Sequence, residues 1–282
     1  MNETFDTPTP ITLYVEVGAG TVTVDAQDDA TQTQVAVEGA ASEGTVIEHR
    51  ADHVVVQGPR RRAGLFGKDA HTTVTVTLPS RSKLITKLAS ADLAARGRFA
   101  STKVRSGSGD VRIDDLVADA VVECGSGDFE LRNAEGDLRV KSGSGTVAVQ
   151  RTQASAVIST GSGSVTLGIA EGETVVKSGS GDLRVNDAHT ELSLNSASGD
   201  LTVGAIRRGT VQARAVSGDV RIGVPAGIPV YTDVSSVTGR VTSDLQGAGR
   251  PGPGQEFVTV RASSVSGDIH LLQRSGDLSA QH

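Results

Sequence analysis

The sequence predicts an all-β protein, a parallel β-solenoid of the β-helix kind with about 18 residues per coil. Three observations predict it. First, a Ser-Gly-Asp tripeptide recurs at Ser108–Asp110, Ser126–Asp128, Ser180–Asp182, Ser198–Asp200, Ser217–Asp219 and Ser266–Asp268. From position 110 to position 200 the beat holds without slip, with Thr146 and Ser164 in the acidic slot of the intermediate copies. Second, the half-period carries its own pattern. One and three residues after every ninth position from 92 to 200, 24 of 26 residues are apolar, and only Thr102 and Thr174 depart. The residue between each pair is often charged, as at Lys103, Arg112, Glu130, Arg139 and Arg184. Apolar–polar–apolar is the mark of a strand with one buried face. Third, all eight prolines lie at or before Pro79 or at or after Pro225. The stretch between is free of the residue that would remove a ladder donor.

The elements follow in chain order. Residues 1–10 are polar and proline-bearing and are expected to form a flexible tail. Residues 11–79 hold alternating segments that predict strands capping the solenoid: Ile11–Val17, Thr21–Val24, Gln34–Val37, Val46–Ile47, Val54–Val56 and Thr72–Leu78. Within them residues 58–71 read as a basic loop that includes Arg60, Arg61, Arg62 and Phe66. Residues 80–274 are the predicted repeats, two strands and two corners per coil. Beyond Asp219 the beat stretches to Arg240 and then Asp268, and the Gly/Pro-rich segment 247–254 predicts a loop insertion between coils. Residues 275–282 read as a flexible end.

At the corners, glycine supplies close approach and unusual backbone angles, while serine and aspartate bond nearby backbone N–H groups. The expectation is that each Asp caps its own turn. One strand buries two modest side chains, worth roughly 1.5–3 kcal/mol each. Ordering its backbone costs about 1–2 kcal/mol per residue, so only a stack of many coils is stable.

Composition excludes several function classes. A net charge of -6 argues against nucleic acid as a partner. No run of about 18 apolar residues exists, and the first twenty residues lack a basic start and an apolar run, so the predicted location is cytoplasmic. The single cysteine, Cys124, falls in a column shared by Ser106, Ser142, Thr160, Ser178 and Ser196, which predicts a structural thiol. The corner differs from the G-G-x-G-x-D-x-U-x calcium nonapeptide because Asp directly follows the second glycine, and calcium needs six to eight oxygens. There is no Trp and only two Tyr and five Phe, too few aromatic rings for a sugar-processing groove. Scattered histidines and the absence of a nucleophile elbow or P-loop complete the expectation of a chain that is not an enzyme and takes no cofactor or metal.

The beat, the entry strand Ile11–Val24 with its Val17-Gly18-Ala19-Gly20 turn, the loop Arg60–Gly67, the strand end Leu78-Pro79 and the SGSGD corners together resemble the toastrack family, also called adhesin-type or β-strand-repeat domains, of actinobacteria and other Gram-positive bacteria. The resemblance implies a parallel β-helix-like fold, no catalytic residues, and a scaffolding or interaction role beside membrane-stress systems.

The expected function is a scaffold or protein-interaction module, linked through that resemblance to envelope stress. The alternatives are a self-assembling filament protein in the manner of bactofilins, or a calcium-responsive β-roll. Two candidate surfaces follow. Arg60, Arg61, Arg62 and Phe66 are suited to an anionic membrane surface or an acidic protein. An outward column containing Val121, Val157 and Val175 suggests a protein partner or self-association.

Overall fold

A computed structural model of the chain describes residues 1–40, 42–59, 71–247 and 256–274. They are all strand, turn and coil apart from one short 3-10 turn at Ser42–Gly44. Two compact units divide at Thr146/Val147.

The first unit contains β1 (Asn2–Asp6), β2 (Thr12–Gln27), β3 (Gln32–Gly39), β4 (Val46–Arg50), β5 (His53–Gln57), β6 (Thr72–Pro79), β7 (Lys83–Phe99), β8 (Thr102–Ser106), β9 (Val111–Leu116), β10 (Ala120–Cys124), β11 (Phe129–Ala134) and β12 (Leu138–Ser142). β7 is long enough to turn a corner, so its first half pairs with β8 and its second half with β9. From there two parallel ladders advance, β8–β10–β12 and β9–β11, each in the register that the sequence repeat sets. Thr102 lies beside Ala120 and Ala120 beside Leu138, while Val111 lies beside Phe129. The array starts earlier than the sequence suggests. β2 also bends through a corner and runs parallel to both halves of β7. Its far side is covered by β5 and β6, which carry antiparallel β4 and β3. β1 then pairs antiparallel with β3. Residues 2–6, expected as part of a tail, are therefore an edge strand of the cap. Nothing in their polar sequence announces a strand; β3 supplies the pairing.

The second unit contains β13 (Val147–Thr152), β14 (Ala156–Thr160), β15 (Val165–Ala170), β16 (Thr174–Ser178), β17 (Leu183–Ala188), β18 (Leu192–Ser198), β19 (Leu201–Ile206), β20 (Gly209–Ser217), β21 (Val220–Pro225), β22 (Val230–Ser236), β23 (Val241–Ser243), β24 (Val258–Ser266) and β25 (Ile269–Arg274). The ladders β14–β16–β18–β20 and β13–β15–β17–β19–β21 are parallel. The register lengthens by a single position at β18/β20, where Leu192 lies beside Val211. Beyond β20 and β21 the order of coils departs from the order of the chain. β24 pairs with β20 on one side and β22 on the other, and β25 lies between β21 and β23. Among the described residues the coil made by β22 and β23 is thus outermost, and the later coil is inserted beneath it. The sequence suggests a simple loop insertion at 247–254; of that segment only Gly247 lies within the described residues, and the stretched beat reflects the exchanged coil order as well.

The predicted core positions are buried in both units. Leu93, Val111, Ile113, Phe129 and Leu131 in the first, and Val165, Leu167, Leu183, Leu201 and Val203 in the second, are at most 3% exposed. Thr102 and Thr174, the two exceptions to the apolar pattern, are buried too. Each Oγ1 donates to a carbonyl two residues back, Ala100 and Gly172, which removes the cost of burying a hydroxyl. A third buried column, Phe99 to Leu116 to Ala134 in the first unit and Thr152 to Ala170 to Ala188 to Ile206 in the second, closes each coil.

Candidate interaction surface

The corners are built from the next coil. Each Asp carboxylate accepts the backbone N–H of the residue that follows it in the stack. In the first unit Asp92 takes Asp110 N–H at 2.9 Å, Asp110 takes Asp128 N–H at 3.0 Å, and Asp128 takes Thr146 N–H at 2.7 Å. In the second, Asp182 takes Asp200 N–H, Asp200 takes Asp219 N–H and Asp219 takes Asp268 N–H, each at 2.9 Å, while Asp268 takes Arg240 N–H at 2.8 Å. The sequence suggests instead that each Asp caps its own turn. The correction has a simple cause: the strand spacing of about 4.8 Å brings the next coil's N–H within reach of a short side chain. The series also confirms the coil exchange, since it runs 219, 268, 240. The Asp219 N–H, followed by Arg221, holds the Asp200 carboxyl below the usual carboxylate range.

The small-residue column before the corners is satisfied as well. Ser106 and Ser142 hydroxyls donate to Gly109 and Gly145 carbonyls, and Thr160 and Ser178 hydroxyl oxygens accept Gly163 and Gly181 N–H. Cys124 occupies this column, buried, with its thiol pushed up to about 11 by burial and by the nearby Asp110 carboxylate. A neutral, buried thiol is not a nucleophile.

Two kinds of corner exist, and the difference decides what is exposed. In the SGSGD corners a Cβ on the first glycine would strike backbone: at Gly125 it would lie 2.2 Å from the Gly107 carbonyl oxygen. In the last coils the strand runs on through this position and the turn falls on a glycine with positive φ, Gly199 (φ +127), Gly218 (+139) or Gly267 (+150). The position is then free to carry a side chain. It holds Ala197, Val216 and Val265, and register places Val237 beside Val265. Val216, Val265 and Val237 are 56%, 49% and 76% exposed, a ridge of stacked valines facing solvent.

This ridge belongs to a larger apolar end. Six of the nine large apolar residues most exposed among the described ones fall within 216–265: Val216, Tyr231, Val237, Val241, Phe257 and Val265. Tyr231 and Phe257 pack edge to face with centroids 5.6 Å apart. The outermost coil also shows interior positions to solvent. Val241 is 41% exposed, whereas Ile269, its partner in the next coil, is fully buried. Among the described residues β22 and β23 pair on one side only.

Of the residues singled out in sequence, Val121 in the first unit is 36% exposed between Lys103 and Arg139. Val157 and Val175 in the second are neighbours and half-buried. Arg60, Arg61, Arg62 and Phe66 lie outside the described residues. The apolar end was missed. Its signal in the sequence is valine in a column that is glycine elsewhere, together with the stretched beat. Among the described residues no group of three or more His, Cys, Asp or Glu is placed to hold a metal ion. An open groove in the first unit, lined by Leu88, Arg105, Glu123, Cys124 and Lys141, includes no aromatic side chain.

These features define a class: a parallel β-solenoid whose repeated motif serves its own corners. The chain belongs to the Toastrack DUF4097 family, whose model matches residues 11–279. Among solved structures it is similar to a "putative adhesin" from Parabacteroides merdae, with a TM-score of 0.51 and 10% identity over 96% of this chain and 95% of that one. It is also similar to a "putative lipid binding protein" from Parabacteroides distasonis, at a TM-score of 0.45 and 13% identity over 96% of both chains. The first likeness shows the fold. No curated protein matches the chain.

Proposed function

We propose that this chain is a non-enzymatic binding scaffold, with the solenoid as a rigid support and the apolar end of the second unit as the surface that takes a protein partner. One observation carries the reading: exposed apolar side chains are concentrated at 216–265, next to a coil whose outer edge has no strand beside it among the described residues. Stacked exposed apolar side chains, as in the Val216–Val265–Val237 ridge, mark interaction sites. The repeated Asp and Ser groups are engaged with backbone and do not form a reaction centre, which supports the non-enzymatic part. The envelope-stress setting implied by the family belongs to the proposal as the place where such a scaffold would act.

The test compares affinity capture with the wild-type chain and with the double variant Val216→Asp, Val265→Asp, both at exposed ridge positions outside β22. A binding scaffold retains a polypeptide in fixed stoichiometry, loses it in the variant, and is itself recovered when that polypeptide is the bait. No polypeptide that distinguishes wild type from variant would overturn the reading.

A further inference from the structure

We propose that the open edge of the outermost coil is a pairing surface for a second copy of this chain, joined end to end through antiparallel β22–β22 contacts. The inference rests on the reading of this end as a binding surface and names its occupant.

The edge is shaped to be covered. Within the coil stack, core-facing residues are buried because a coil lies on each side. In β22 the core-facing residues are Val230, Thr232 and Val234, beside Val258, Val260 and Ala262 of β24. The β24 residues are buried; Val230 and Val234 are only half-buried and Thr232 is exposed. An edge of this kind is normally blunted with lysine, proline or a bulge. The two strands β22 and β23, VYTDVSS and VTS, contain one charge, Asp233, and no proline, lysine or glycine.

The occupant follows from the edge itself. A second copy presents the same strand, VYTDVSS, with its single charge, as part of a whole coil. Antiparallel pairing by a two-fold axis through Val234 sets Asp233 opposite Ser235, Thr232 opposite Ser236, and Tyr231 opposite Val237. Asp233 then meets no like charge, and the exposed Tyr231 gains an apolar neighbour. This closes the assembly at two copies, because an isologous contact uses up the edge. Two short strands a side fall below the roughly 20–30 residues of a standard interface, so the pair is expected to form in the micromolar range or weaker.

Sedimentation equilibrium of the full chain from about 1 to 500 μM is the test. The expected result is a mass rising from that of one chain, 28.9 kDa, toward twice that value. Val234→Lys, on the axis, should weaken association at least tenfold. Tyr231→Asp, at a half-exposed side chain whose aromatic neighbour Phe257 is itself at the surface, should do the same if Val234→Lys fails to fold, with circular dichroism confirming the variant's fold. A one-chain mass throughout would overturn the proposal and assign the edge to another protein or to the chain's own segments. A mass growing past two chains would overturn it in favour of a filament. A two-chain mass indifferent to Tyr231→Asp would place the contact elsewhere. Val216 and Val265 lie on β20 and β24, outside the β22–β22 contact, so loss of capture with a retained two-chain mass, or the reverse, separates the failure of one reading from the failure of the other.

Discussion

Asp200 gives the sharpest handle on the corner chemistry. Its carboxylate accepts Asp219 N–H at 2.9 Å and Arg221 Nη1 at 3.0 Å, and its own N–H goes to Asp182. Asp200→Ala removes the acceptor. The backbone contact resembles a helix cap, worth about 0.5–2 kcal/mol, and the half-exposed Arg221 pair adds about 0–1 kcal/mol. A loss of about 1–2 kcal/mol is expected, a fall of roughly 2–8 °C in Tm for a chain of this size. Asp200→Asn keeps an acceptor oxygen. It also relieves repulsion from the stacked carboxylates on either side, roughly 1 kcal/mol per neighbour at about 5 Å in water. The asparagine variant should therefore melt within about 2 °C of wild type. The pH dependence follows the same bond. The folded carboxyl titrates below the ordinary value of 3.8, so the charge-dependent part of its contribution is present above about pH 4 and is lost as pH falls through the folded pKa, while the protonated carboxyl, like asparagine, keeps an acceptor oxygen. The Tm gap between wild type and Asp200→Ala should narrow, without closing, between pH 5 and pH 2. Thermal melts by circular dichroism measure all three. Equal destabilisation by alanine and asparagine would mean that the corner needs the charge and not the acceptor, the opposite of what the geometry indicates.

Three further outcomes are expected. Gly125→Ala forces a Cβ against the Gly107 carbonyl and should cost at least about 2 kcal/mol in urea unfolding, whereas Ala197→Gly, in a corner that already accepts a side chain, should cost less than about 1 kcal/mol. Cys124 should resist a thiol reagent at pH 8 in the folded chain and react at once in denaturant. Its labelling should accelerate toward the raised pKa of about 11, and stability should decline as pH rises above the ordinary thiol value of 9.0, where the unfolded thiol ionises first. Phe129→Ala, at a fully buried site, should cost about 3–5 kcal/mol by the same unfolding assay.

Much of the fold is legible in the sequence because a solenoid repeats its physics. The same two inward positions recur in every half-coil, and the register follows from stacking like on like, as Val111 beside Phe129 shows. What is not legible is non-local. β1 is polar and is a strand only because β3 offers an edge. The exchange of the last two coils depends on which edge β24 finds, and no local pattern states it. The third buried column was missed because Leu116 and Ala134 fall outside the alternating pair that defines the beat. The surface was harder. Val157 and Val175 stand out as a column, yet they are half-buried, whereas Val216 and Val265 look like ordinary strand residues until the corner geometry shows them facing outward. The Ser-Gly-Asp motif, the most conspicuous feature of the chain, explains the fold and leaves function to the places where it changes.

The proposal places function at the open coil and not in the repeated corners. Hydrogen exchange of the full chain, read by mass spectrometry at about 2 and 300 μM, tests it most directly. Slow exchange is expected across 183–222 at both concentrations, fast exchange across 230–243 in the dilute sample, and protection of 230–243 in the concentrated one. Protection of 230–243 equal to that of 183–222 in the dilute sample, or exchange there that ignores concentration, would contradict it.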